Sequence, residues 1–210
     1  MKKIVVFLGR VVCFCALFFA FMSNEANAER IKKPHRFNKI YREIIEDTDY
    51  LSLGNVFSKN IIIDFFDYRC RYCQEFHRQM FKALEEGKLK NIRWIIVEAP
   101  IFGDDSNQLS RYILAAKEQG KYKEMFLEVA KKGSVALYEA EEIAKKLGVN
   151  VEVMKMDAYT DRVTNVFKKN IKLYKKFKVN SVPLIIADKK VYKGAILDEK
   201  LDDLLENLSD

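Results

Sequence analysis

The chain alternates between short, wholly apolar runs and longer stretches whose apolar residues recur every three or four positions. "NIIIDFFDY", residues 60 to 68, is β-branched and aromatic almost throughout. That composition suits a strand buried on both faces of a sheet. "QEFHRQMFKALEEG" follows, with Phe76, Met80, Phe81 and Leu84 at helical intervals and Gly87 as a stop. "NIRWIIVEAPIF" reads as a second buried strand ending near Pro100. Strand, helix and strand of these lengths make a βαβ unit with a parallel pair.

From about Asp104 to Lys178 the period is helical throughout. Three amphipathic segments end at Gly120, Gly133 and Gly148, and "TDRVTNVFKKNIKLYKKFKV" follows. No repeat of fixed period is present. Two short strands come next, Leu184 to Ala187 and Val191 to Tyr192, joined by Asp188-Lys189-Lys190 as an antiparallel hairpin. "LDEKLDDLLENLSD" closes the chain as an amphipathic helix. The order β-α-β, helical block, β-β-α is that of an α/β thioredoxin fold. The block at about 104–178 is then a helical insertion between the βαβ and ββα halves of a domain at 59–210.

The first part of the chain reads differently. Lys2 and Lys3 precede an apolar run from Ile4 to Met22, and Ala26-Asn27-Ala28 has the form of a cleavage site. Residues 1–28 therefore read as a secretory signal peptide. An uncleaved anchor fits less well, because Arg10 interrupts the run and Val11 to Met22 is short for a bilayer. Residues 29–58 form an N-terminal extension. In it, Phe37, Ile40, Tyr41, Ile44 and Ile45 recur at helical spacing. Three turns are few for a free coil, which favours a helix packed on the domain over an oligomerisation arm.

Composition changes this picture in two places. The net charge of +7 falls to +5 once residues 1–28, with three basic and one acidic residue, are removed. The lysines are interleaved with acids and apolar residues as on solvated helix faces, and no basic-aromatic cluster of the kind that binds nucleic acid appears. Cleavage also leaves only Cys70 and Cys73 of the four cysteines. An export signal with one Cys-x-x-Cys implies an oxidising, extracytoplasmic compartment and too few cysteines for a disulfide scaffold.

"DYRCRYCQEFH", residues 67 to 77, carries that pair one loop after the first strand. Its spacing fits a redox disulfide, half of a zinc site or a structural clip. Zinc needs further ligands, and His35 and His77 are the only histidines. No metal or cofactor is expected. Thiol–disulfide exchange needs a thiolate, and an ordinary cysteine, with a pKa near ~8.5, is mostly protonated at neutral pH. A helix N-terminus at Cys70, with Arg69 and Arg71 beside it, would favour the charged sulfur. Cys73, one turn on, can attack a mixed disulfide. His77 reads as a helix-surface residue first and as an active-site residue second.

The segments "DFFDYRCRYCQEF", "EAPIFGDDSNQLSRYILAAKEQGKY" and "VNSVPLIIAD" resemble the DsbA-like thiol-disulfide oxidoreductases of bacterial envelopes. The resemblance covers most of the chain after about residue 53. It implies that Cys70 is the exposed nucleophile and Cys73 the buried resolving thiol. It also implies that Pro183 is a cis-proline facing the pair and that Val182 offers its backbone to an extended substrate. Asp64 falls where the family often keeps a buried acid, which could relay a proton to or from Cys73. Arg71-Tyr72 replaces the proline and histidine of the best-known members, and both residues lie where substrate would pass. Tyr68 and Phe102 are not assigned to the site. The implied activity is oxidation of cysteine pairs in exported proteins, with a membrane partner of the DsbB kind as reoxidant. A disulfide isomerase or reductase, oligomeric through residues 29–58, is the alternative. A binding protein with a purely structural disulfide is a third reading.

Overall fold

The computed structural model describes residues 35–209. The expected signal peptide lies outside them. The chain begins with α1 (His35–Ile45), whose Ile40 and Ile44 are buried in the core. A short strand, β1 (Ser52–Gly54), leads to β2 (Asn60–Phe66), α2 (Arg71–Glu85) and β3 (Ile92–Glu98). The insertion holds α3 (Asp104–Ala115), a 3-10 turn at Ala116–Gln119, α4 (Tyr122–Lys132), α5 (Leu137–Lys146), α6 (Val151–Asp157) and α7 (Asp161–Lys175). The chain then returns through β4 (Leu184–Ala187), β5 (Lys190–Lys193) and α8 (Glu199–Ser209). This is the mixed α/β thioredoxin architecture that the element order implies.

The five strands form one sheet in the order β1-β3-β2-β4-β5. β2 and β3 run parallel, with Asp64 opposite Ile96 and Phe66 opposite Glu98. β4 runs antiparallel to β2 and pairs Ile185 with Asp64. Six of the seven residues of β2 are buried, as its unbroken apolar run requires. The hairpin turn is tighter than the sequence suggests. β5 begins at Lys190, so only Asp188 and Lys189 connect the strands, both at positive φ (48° and 55°). Two such residues give the turn whose twist matches paired strands.

β1 has no counterpart among the expected elements. It pairs antiparallel with β3, Ser52 opposite Ile95, and so lies in the segment read as an extension. Three residues carry no readable period. Gly54 ends the strand at φ 74°, and a Cβ there would sit 2.4 Å from the Ile92 carbonyl oxygen. Only glycine allows that approach.

α8 packs on β2 and β3, and α7 packs on β3. α2 meets α4 of the insertion. Aromatic side chains fill that junction: the Phe66, Trp94 and Phe126 rings surround His77, with centroids 4.7, 5.5 and 5.6 Å from its imidazole. The sheet thus delivers the loop 67–70 to the N-terminus of α2, with the insertion packed alongside.

Candidate active site

Asp67 builds the loop that carries the cysteines. Its backbone carbonyl accepts from Cys70 N–H at 3.0 Å. Its carboxylate accepts from Arg69 N–H (2.8 Å), Ile101 N–H (2.7 Å), Phe102 N–H (3.1 Å) and the Ser106 hydroxyl (2.9 Å). One buried acid therefore ties the start of α2 to the segment leading into α3. Aspartate suits this task because its short carboxylate reaches its own following amides.

Cys70 is the N-cap of α2, with extended backbone at φ −82° and ψ 115°. Its sulfur accepts from the Cys73 N–H at 3.4 Å and lies 3.4 Å from the Val182 carbonyl oxygen. The Val182–Pro183 bond is cis. The pair from α2 and the pair from the loop before β4 thus meet in space, 112 residues apart in sequence. The two cysteines are unbonded here. Cys70, expected as the exposed thiol, is only 4% exposed, because the Val182 loop covers it.

The Cys70 pKa is lowered to about 7. The largest cause is the hydrogen bond from the Cys73 thiol, and the backbone N–H groups of Cys73 and Tyr72 add to it. Burial and the charge of Asp67 oppose the shift. The arginines act differently from the expectation. Arg69 is ion-paired with Asp105 at the start of α3, so its charge is spent there. Arg71 is exposed, and its field falls on Glu75. The helix terminus and the partner thiol, not the arginines, stabilise the thiolate. Titrating the thiolate absorbance of the reduced protein should give a midpoint near 7. A midpoint in the range of free cysteine, about 8.5, would show that the N-cap geometry does not govern the sulfur.

Cys73 is 1% exposed. Burial pushes its pKa far up, and the hydrogen bond to Cys70 and the charge of Asp64 push it the same way. The two sulfurs are therefore strongly divided: one easily ionised, the other held as a thiol.

Asp64 is fully buried on β2, and its field reaches Cys73. One of its oxygens, Oδ2, shares a 2.7 Å hydrogen bond with Nε2 of His77, while Oδ1 has no partner. His77 is not on the helix surface. It is 2% exposed and lies on the buried stripe of α2. Its spacing to Met80, Phe81 and Leu84 carries that signal, which a polar residue name obscures. Tyr72 stands 66% exposed beside the cysteines. Tyr68 is buried, and Phe102 is exposed next to the Asp67 loop.

A third buried acid escapes sequence reading. Glu98, at the end of β3, accepts from the Tyr122 hydroxyl at 2.5 Å and from the Asn170 amide at 3.2 Å. The Asn170 carbonyl in turn accepts from Tyr50 at 3.1 Å. The network joins β3 to α4, α7 and the chain before β1.

Fold and site together define a thioredoxin-fold protein with a dithiol at a helix N-terminus opposite a cis-proline. Residues 46–207 match the family model described as Thioredoxin. The chain belongs to the thioredoxin family, a family of thiol-disulfide oxidoreductases. Among solved structures it is similar to a thioredoxin-like oxidoreductase from Silicibacter pomeroyi DSS-3, at 24% identity and TM-score 0.71, over 79% of this chain and 95% of that one. The thiol-disulfide exchange protein alpha-DsbA2 from Wolbachia pipientis matches at 22% identity and TM-score 0.68, over 85% and 100%. The catalytic domain of ScsC from Proteus mirabilis matches at 18% and 0.69, over 82% and 96%. The DsbA-like resemblance read from the sequence thus recurs in the fold. A comparison with curated proteins finds none that matches.

Proposed function

We propose that this chain is an exported dithiol oxidase that forms disulfides in other exported proteins. The observation that carries the reading is the Cys70 sulfur at the N-cap of α2, hydrogen-bonded by Cys73 and facing the Val182 carbonyl. In the oxidised enzyme a client thiolate attacks the Cys70 sulfur. The Cys70–Cys73 bond breaks, a mixed disulfide forms, and Cys73 leaves and takes a proton. A second client thiolate then attacks the client sulfur of the mixed disulfide. The client gains a disulfide, and Cys70 leaves as a thiolate. The client loses two electrons, which the enzyme dithiol holds until a membrane reoxidant of the DsbB kind accepts them.

In this scheme a low Cys70 pKa makes Cys70 a good leaving group and stabilises the reduced enzyme. Asp64, buried near Cys73, supplies the proton that the departing sulfur needs. Pro183 and Val182 present the loop against which an extended client lies, in the manner of an added strand. Arg71 and Tyr72 contact the client at the other side of the sulfur. The clients are cysteine-bearing proteins newly delivered to the periplasm, and the signal peptide at 1–28 brings the enzyme to them.

A reductase or isomerase reading has one observation in its favour. A Cys70 pKa of about 7 lies close to thioredoxin's value and far from the ~3.5 of the strongest oxidant of this fold. The physical reason is at hand: Asp67 opposes the thiolate and neither arginine supports it. Equilibration with glutathione separates the readings. The expected potential lies between about −270 mV and about −120 mV, the thioredoxin and DsbA values. A value at or below the thioredoxin one would replace the oxidase reading with a reductase. A scrambled-disulfide assay combined with light scattering checks the isomerase: reshuffling by an oligomer would favour it, and oxidation without reshuffling by a monomer would exclude it.

A further inference from the structure

The exposed face of α2 carries a groove that runs from Arg71 and Tyr72 beside the sulfurs along the helix. Its volume is about 730 Å³, in the range of clefts that hold small ligands or short chain segments. Arg71 and Tyr72 stand at the Cys70 end, Arg78 and Lys82 continue along the helix, and Lys131 lines it from the last turn of α4. Val182 and Pro183 are not part of the lining, so the groove is a contact surface separate from the cis-proline loop.

The charges in this groove do not balance. Arg71, Arg78, Lys82 and Lys131 line it with two acids, Glu75 and Glu85, and Lys82 pairs with Glu86 outside the lining at 3.7 Å. Both acids are already engaged. Glu75 accepts from Arg78 at 3.0 and 2.5 Å and from Gln79 at 2.9 Å, and Glu85 lies 3.8 Å from Lys131. Arg71 closes no ion pair among the described residues, although its field reaches Glu75. The uncommitted positive charge is therefore the residue next in sequence to the reactive sulfur. Beside it the exposed Tyr72 ring offers an apolar face.

We propose that this groove selects clients by charge, taking the segment next to a client's reactive cysteine when that segment carries Asp or Glu. The proposal rests on the dithiol-exchange reading above and adds a substrate class to it. Arg71 is the specificity-determining residue. A client sulfur brought to Cys70 places its flanking residues across Arg71, where a carboxylate finds an unpaired guanidinium able to bind it through two donors. Arg78, Lys82 and Lys131 each lie beside an acid of their own, which leaves Arg71 as the excess charge of the groove. A basic flank meets repulsion at the same place. The surface is exposed, so the preference acts mainly on the encounter rate and is screened by salt.

Three peptides, each with two cysteines and differing only in acidic, neutral or basic flanking residues, test the idea with the purified protein. The acidic peptide should be oxidised roughly five- to tenfold faster in kcat/KM than the neutral one at low salt, with the basic one slowest. High salt should shrink the ratio to below about twofold. Arg71→Glu should invert the order. Lys131→Glu, distant from the sulfurs, should lower the acidic-to-neutral ratio. Equal rates for the three peptides, or a ratio that Lys131→Glu leaves unmoved, overturn the proposal. Fluorescence anisotropy with labelled peptides carrying serine at both cysteine positions gives a readout without exchange. If no peptide is oxidised, the dithiol reading fails and anisotropy alone decides the groove: tighter binding of the acidic peptide supports it, and equal binding overturns it.

Discussion

His77→Leu should destabilise the fold by about 1–3 kcal/mol, the range for leaving a buried polar group without its hydrogen-bond partner. The argument starts from Asp64, which is 0% exposed within an apolar strand and has only one hydrogen-bonded oxygen, held by His77 at 2.7 Å. Leucine removes that single partner and leaves the carboxyl group among the Phe66, Trp94 and Phe126 rings that surround position 77. Urea unfolding measures the loss. Asp64→Leu combined with His77→Leu should cost much less than the sum of the two single changes, because the double variant leaves no buried polar group without its partner. Additive costs would show that the pair is not an energetic unit.

The same geometry separates structure from chemistry. Asp64→Asn keeps the shape and can still bond to His77, but it cannot deliver a proton to Cys73. Single-turnover exchange should slow by about 10²-fold, at the lower end of what positioned proton transfer contributes. Client affinity should change little. Unchanged exchange rates would remove Asp64 from the mechanism and leave it as a core residue.

These two residues also mark how far the sequence could be read. The run around Asp64 and the stripe from Phe76 to Leu84 declare β2 and α2 because burial on both faces and on one face leave different periods. The Cys-x-x-Cys pair was legible from its spacing and its place one loop after β2, and Pro183 only through the DsbA-like resemblance, which implied the cis bond. What was hidden depends on pairing across the fold. His77 looks like a surface residue until Asp64 is placed opposite it. Arg69 looks like a thiolate stabiliser until the Asp67 loop brings Asp105 beside it. The three residues of β1 become a strand only because the edge of β3 is free to pair with them. Glu98, one acid at the end of "WIIVE", shows nothing of the tyrosine and asparagine that receive it from more than twenty residues away.

Glu98 should make the folded protein lose stability as pH rises from about 5 to 8. Burial raises its pKa from 4.5 to about 7, more than the hydrogen bonds from Tyr122 and Tyr68 lower it. The Tyr68 hydroxyl contributes without a hydrogen bond of ordinary geometry. A carboxyl group whose folded pKa lies above its unfolded one holds its proton more tightly when folded. Its stabilising contribution is complete below the unfolded value of 4.5 and is lost as pH climbs through about 7. The difference between those pKa values corresponds to a loss on the order of 3 kcal/mol across the interval. Glu98→Gln cannot ionise yet still offers an oxygen to Tyr122, so the variant should lack this part of the pH dependence. Urea unfolding of both proteins at pH 5 and pH 8 isolates the effect, because the other titrating groups are common to the two. The gap between them should narrow or reverse at pH 8, where the wild type carries a buried charge and the variant does not. Parallel losses in the two proteins would mean that Glu98 is already ionised at pH 5, and that the Tyr122 and Asn170 hydrogen bonds outweigh its burial.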